Sequence, residues 1–299
     1  MSPISSNSKA IVLGIIASLL WSTVFVAGRY LCDVLNIHPT LVAFLRFFGA
    51  GIISLIYLTL RGKVKNLSVL KSYPGLIILL AITGISVMGS AVFFALNLST
   101  AVDVSIIMNS NAIFIVPLAV FTGERITLRK AFGVIIGLLG CALVINGGFT
   151  GFQFIRGEHL AGNLLALIAS ISWAIYTVMG KRIVRERGGL TITSLNMMIG
   201  SIPLLAVTAG LGELSLPPLR AIIVLAYLAI FPTAIGFVLW YKALENIDAS
   251  RLGPLQYIVP VGTAIISFFT LNEEIKLASI LGMLMVFLGI YLSSLEESS

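Results

Sequence analysis

Charge is scarce in this chain. Of its 299 residues 10% are Asp, Glu, Lys or Arg, against roughly 25% in soluble domains. So few charges cannot cover the surface of a water-soluble fold. Cysteine and histidine are scarcer still. Cys32 and Cys141 lie far apart, in or beside apolar runs, with no redox or metal-ligand spacing. His38 and His159 stand alone near run ends and are expected at the surface. No cluster of His, Cys, Asp or Glu offers a metal site, a cofactor site or a membrane-embedded catalytic centre. None of the twelve carboxylates falls in the middle of an apolar run. The net charge of +7 would suggest nucleic acid in a soluble protein. Here the bases sit in short clusters between apolar runs, so they report topology instead.

What the chain does have is length of apolar run. Hydrophobic residues make up 58% of it, in blocks matching the ~20 residues of helix that cross a hydrocarbon core. Spans are expected at 9–32, 40–60, 74–98, 103–122, 129–146, 159–183, 190–211, 218–243, 249–271 and 277–295. The reading is an all-α integral membrane protein with ten transmembrane helices. The polar start, Met1–Ser8, leads into a run too long for a signal-peptide core, so that run is the first span. Among the 19 Lys and Arg residues, Arg29, Arg156, Arg220 and Lys276 fall on one side and Arg46 falls inside a span. All the others, from Lys9 to Arg251, collect on the side of the N-terminus. The positive-inside rule then places both termini in the cytoplasm.

The two halves match each other. Ser18-Leu-Leu-Trp21 corresponds to Ser170-Ile-Ser-Trp173, and each Trp is followed eight residues on by a base, Arg29 or Lys181. Ala95-Leu96 followed by Ala101 matches Ala243-Leu244 followed by Ala249. Gly123-Glu124-Arg125 matches Asn272-Glu273-Glu274, and Gly133 and Gly140 match Gly282 and Gly289. The offsets stay between 148 and 152. A glycine-rich stretch from Asn146 to Glu158 joins the halves, giving repeats at 1–148 and 149–299. Each repeat has an odd number of spans, so the second enters the membrane upside down. Inverted repeats are a recurrent plan of secondary transporters. They also occur in some channels.

In these markers the chain resembles the drug/metabolite transporter superfamily, in particular its ten-helix EamA-type exporters. The resemblance covers about residues 10–146 and 160–294. It rests on the Trp in the first helix of each repeat, Arg46-Phe47 in the second helix, the two Ala-Leu markers, and Gly-Glu-Arg at 123–125 before a glycine-rich helix. Glu274 in place of Arg125 and the lack of an Arg46 counterpart in the seventh helix make the halves unequal. Within the superfamily the chain is similar to YddG-type exporters of aromatic and other neutral amino acids. The resemblance implies export of such solutes by alternating access across a bacterial inner membrane. Carriers of nucleotide sugars or drugs are the alternative within transport, and a passive channel the alternative outside it. Nucleotide sugars would call for several midplane bases and cationic drugs for a membrane carboxylate, which this sequence lacks. The same lack argues against proton or sodium coupling through a carboxylate relay.

Candidate binding residues are the polar and aromatic groups inside spans. Ser105, Asn109, Ser110 and Asn111 interrupt the fourth helix, and Pro254, Gln256, Tyr257 and Pro260 the ninth, with Asn111 and Pro260 at matching positions. Such irregular backbone is tolerated where it lines a cavity, although interhelical hydrogen bonding would also account for it. Trp21 with Ser22, and Trp173 with Tyr176 and Thr177, sit mid-span and could form an aromatic wall for an amphipathic solute, or simply pack. Secondary candidates are Gly84, Ser86, Ser90 and Phe94 in the third helix and Pro232, Trp240 and Tyr241 in the eighth. Ten of these residues are expected to bind the substrate: Trp21, Ser22, Ser86, Ser90, Asn109, Asn111, Trp173, Tyr176, Gln256 and Tyr257. They predict a cavity between helices one, three, four, six, eight and nine. Arg46 reads either as an anchor for a substrate carboxylate or as a structural ion pair or helix cap. Gly133, Gly137, Gly140, Gly282 and Gly289 read as close helix packing, with a homodimer contact as the alternative.

The charge bias makes a direct prediction. Tags at Ser2 and Ser299 should both report cytoplasm, and a cysteine replacing Thr150 should label from outside. Opposite labelling would overturn the inverted arrangement.

Overall fold

The structure, a computed structural model, describes residues 6–119, 128–146, 157–244 and 253–294, and contains no strand among them. The Gly123-Glu124-Arg125 marker, Ala249 and the linker at 147–156 lie outside the described residues.

Helix α1 runs Ser6–Arg29 and continues through a π turn, Tyr30–Val34. Helix α2, Pro39–Leu60, begins with a proline at its first position and His38 before it, whose ring accepts from the Thr40 N–H. A first-position proline gives up an N–H that would have no partner in the helix anyway. Helix α3 starts the same way at Pro74 and reaches Leu98, with a π segment at Ile82–Val87. Helix α4 is broken: Ala101–Asn109, a turn at Ser110, then Asn111–Ala119. Helix α5 is Leu128–Asn146, α6 Glu158–Arg187 and α7 Gly189–Gly210. Helix α8 runs Leu219–Leu228, turns π over Ala229–Ile235 and resumes as Gly236–Leu244. Helix α9 opens as a 3-10 turn, Gly253–Tyr257, before Ile258–Leu271. Helix α10 is Leu277–Ser294. Six of these helices are long and apolar enough to cross a membrane, and four shorter apolar helices accompany them.

Large apolar side chains point outward throughout, among them Leu60, Phe132, Leu216 and Phe269. In water that surface would drive aggregation; against lipid it is the solvent-matched face.

Helices α5 and α10 form the most extensive pair, and α2 lies along α7. Between them, α1 packs on α8 and α9, while α6 packs on α3 and α4. The same exchange holds for α2 on the π segment of α8 and α7 on the π segment of α3. The α5–α10 pair explains the glycines. A Cβ on Gly140 would lie 2.7 Å from the Gly282 carbonyl oxygen, and one on Gly289 2.5 Å from that of Gly133. These faces are spent within the chain.

Replacing Gly140 or Gly282 with Leu should therefore force α5 and α10 apart, costing about 1–3 kcal/mol or more. The expected readout is a lower melting temperature and less monodisperse protein. Gly210, with open space around it, should tolerate Ala with little change; equal loss at both sites would refute the packing account.

Candidate functional site

Pro232 organises the centre of the molecule. It has no N–H, so the Leu228 carbonyl one turn earlier lacks its α-helical donor. The chain responds with the π segment, and the Thr233 hydroxyl donates to the Leu228 oxygen at 2.7 Å. That hydroxyl in turn accepts from Arg46 Nε, at 2.7 Å. The carbonyl of Pro232 itself accepts from Trp21 Nε1, at 2.9 Å. Two consecutive residues of α8 thus hold a tryptophan from α1 and an arginine from α2.

Around this point the aromatics gather. Trp21 meets Phe237 edge-on at 5.7 Å and Trp240 at 5.0 Å between ring centroids. Phe237 also meets Trp173 edge-on at 5.8 Å, and Trp173 stacks on Tyr176 at 5.1 Å. The Tyr176 and Tyr241 hydroxyls are 3.3 Å apart, and Asn196 Nδ2 donates to Tyr176. The cluster contains all three tryptophans of the chain. It joins α1, α6 and α8, with α7 contributing Asn196. The tryptophans paired by the duplication, Trp21 and Trp173, are both half-buried and share Phe237. Gly84 makes room for this arrangement, since a Cβ there would strike the Tyr176 ring.

The other expected residues divide into two groups. Ser22 is buried between α1 and α9, its hydroxyl bonded to the Ser18 carbonyl and its side chain lying against Gly262. Ser86 is buried and donates to the Gly200 carbonyl of α7 at 2.7 Å. Asn111 is buried with its Nδ2 on the Met108 carbonyl. These three stitch helices or turns together. Ser90, Asn109 and Gln256 are half-buried. Asn109 Nδ2 bonds back to Ser105 O, at 2.7 Å. Tyr257 stacks on Phe287 of α10 at 4.7 Å, and its hydroxyl has no hydrogen-bond partner among the described residues. Pro260 is the third residue of the helix beginning at Ile258, where its missing N–H costs nothing. The break in α9 therefore precedes the proline rather than following from it. Phe237, Thr233 and Asn196 were not anticipated. Asn196, a lone amide in an apolar run, carried a signal; Phe237 carried none.

At the Arg29 end of the bundle a charged cluster ties helix ends together. Arg29 donates to the carbonyls of Leu96, Asn97 and Ser99 at the end of α3, and pairs with Asp33 at 3.0 Å. Glu273, 3.8 Å from Arg29, accepts from the Ala101 N–H at the start of α4. Each charge faces the helix terminus of opposite partial charge. Asp103 lies at a helix end, as the sequence suggests, but is more enclosed than that position implies. It belongs to the first turn of α4, is 2% exposed and accepts from the Ser279 hydroxyl. Helix ends here lie inside the bundle. The two histidines are also engaged: His38 caps α2 and meets Phe94 edge-on, and His159 lies 3.3 Å from the Ser99 hydroxyl.

An all-helical, multi-pass membrane protein with matched helix breaks in two halves is what these observations define. The EamA-like transporter family profile matches residues 8–146 and again 160–295, and the chain belongs to that family. An uncharacterised transporter of Archaeoglobus fulgidus is 27% identical over 97% of this chain and 99% of its own length. A second from the same organism is 30% identical, over 95% and 98%. An Escherichia coli K12 protein named a probable amino-acid metabolite efflux pump is 25% identical, over 94% and 93%. A crystal structure with 22% identity shares the fold, at a TM-score of 0.68 over 95% of this chain and 96% of the other.

Thr233 is the residue whose loss tests this account of α8. Thr233→Val removes the side-chain bond to the Leu228 carbonyl, which keeps the backbone bond of the π segment, and leaves Arg46 Nε without its hydroxyl acceptor. A loss of about 1–3 kcal/mol is expected, seen as a lower melting temperature, while Thr233→Ser should restore it. Equal stability of the Val variant would show that neither bond matters.

Proposed function

We propose that this membrane transporter exports neutral and aromatic amino acids, or metabolites like them, by alternating access across a bacterial inner membrane, and that it is a carrier with no enzymatic activity. The observation carrying the substrate reading is the aromatic cluster built from both halves. Indole faces from α1 and α6 suit an apolar side chain. The half-buried amides Asn109 and Gln256, with the hydroxyl of Ser90, suit the polar end. A free amino acid gives up water at its amino and carboxylate groups and needs partners for both. The E. coli relative's name points to the same class of solute.

Alternating access has its own support. The residues that tie the Arg29 end, namely Arg29, the 95–101 segment and Glu273, are the ones the duplication repeats. Their sequence counterparts, Lys181, the 243–249 segment and Glu124, are expected at the opposite end from the charge bias of the sequence. Two equivalent sets at opposite ends suit a carrier that closes one end at a time. The two repeats, 1–148 and 149–299, are taken as inverted on this reading.

The test is counterflow in liposomes loaded with one amino acid and challenged with a labelled panel. Exchange of at least one neutral amino acid without an imposed proton or sodium gradient is expected. Asn109→Leu and Gln256→Leu should each slow exchange several-fold with expression intact. Exchange that strictly requires either gradient would refute the uncoupled reading and direct attention to Asp103. Unchanged exchange in both variants would remove the amides from the site.

A further inference from the structure

We infer that Arg46 is the anion anchor of the transport site and takes the carboxylate of the solute; this rests on the amino-acid reading above. Arg46 is 6% exposed, inside a span, on the face of α2 that meets the π segment of α8. A buried cation in hydrocarbon costs several kcal/mol unless it is paired. A structural arginine would meet a carboxylate or exhaust its donors on carbonyl oxygens. Arg46 does neither among the described residues. Its Nε bonds the Thr233 hydroxyl, and its guanidinium lies over the rings of Phe47 and Phe93, at 4.8 and 5.6 Å from their centroids. The terminal nitrogens, the pair that would grip a carboxylate bidentately, meet no acceptor among the described residues.

The placement fits a ligand. Thr233 fixes Nε, so the fork is held in one orientation. The next residue back along α8, Pro232, holds Trp21. The cation and the aromatic cluster are thus joined through adjacent residues of one helix. A solute with a carboxylate at one end and an apolar side chain at the other matches that pair of features. The other half has no such cation, so the site has a single polarity: one end for the anion, the other for the ring faces.

The experiment compares the wild type with Arg46→Met and Arg46→Lys in detergent and in liposomes. Phenylalanine, hydrocinnamate and phenethylamine, and the corresponding leucine series, separate the carboxylate from the amine. Thermal stabilisation and inhibition of exchange are the readouts. The wild type should respond to the compounds that carry a carboxylate. Arg46→Met should lose that response by at least about tenfold, with Lys partly restoring it. The melting temperature of Arg46→Met should hold or rise, because a desolvated charge has been removed; a merely structural arginine would give a marked fall. Amino-acid exchange persisting unchanged in Arg46→Met would overturn the anchor and leave the amino-acid reading intact. Carboxylates that stabilise the wild type but not Arg46→Met, without any amino-acid exchange, would uphold the anchor and overturn the amino-acid reading. A wild type indifferent to every carboxylate would overturn the anchor.

Discussion

One missing hydrogen bond shapes the centre of this protein. A carbonyl that loses its donor in water finds another there, but in hydrocarbon the replacement must come from the chain itself. Pro232 removes the α-helical donor for Leu228, and the π register replaces it with the next N–H along, that of Thr233, whose hydroxyl adds a second bond to the same oxygen. The π segment then carries the Pro232 carbonyl to Trp21 and the Thr233 hydroxyl to Arg46. Helices α1 and α2 are both registered against α8 by this repair. The duplication keeps the shape and changes the chemistry. In α3 the matching position is Gly84, which has its N–H and lacks a side chain. There the π segment provides room for the Tyr176 ring, and Ser86 provides the polar link across to α7.

Much of this was legible in the sequence because membranes simplify it. Apolar run length located the spans closely, and Pro39 and Pro74 mark starts that the structure confirms to within a residue of expectation. The trouble spots in α4 and α9 were visible as amides and prolines. The π segments were not, since a shift of hydrogen-bond register leaves no compositional trace. Trp21 and Trp173 stood out through the duplication, whereas Phe237 is one of 17 phenylalanines and its repeat partner is Gly89. Ser22, Ser86 and Asn111 show the weakness of reading polar residues as cavity residues. A buried hydroxyl or amide in a span has first to satisfy a nearby carbonyl, and these three do so.

Asp103 illustrates a different limit. Position along a helix is readable from sequence, but depth in the bundle is not. The start of α4 lies beneath Glu273 and beside Ser279, so a residue in its first turn is as enclosed as one at mid-span. Arg29 and Glu273 likewise look like ordinary charges at or just beyond span ends in the sequence, and act as caps on the ends of α3 and α4 in the structure.

The distribution of breaks separates two kinds of helix. The π and 3-10 segments described here fall in α1, α3, α8 and α9, and α4 carries a turn. Helices α5 and α10 are unbroken over their described lengths and meet glycine to glycine, backbone against backbone. Close backbone contact leaves little freedom for one helix to slide or tilt against the other, because any displacement drives main-chain atoms together. A π segment or turn has the opposite character: its hydrogen bonds are already out of α register, and side chains such as Thr233 and Ser110 complete them. Mid-helix departures from α register often mark hinges or functional sites. Phe237, Trp240 and Tyr241 of the aromatic cluster, with Asn109 and Gln256, sit on helices that carry breaks, where a change of tilt would alter their spacing from Trp173 and Tyr176 on the unbroken α6, while the glycine-packed pair holds its geometry alongside.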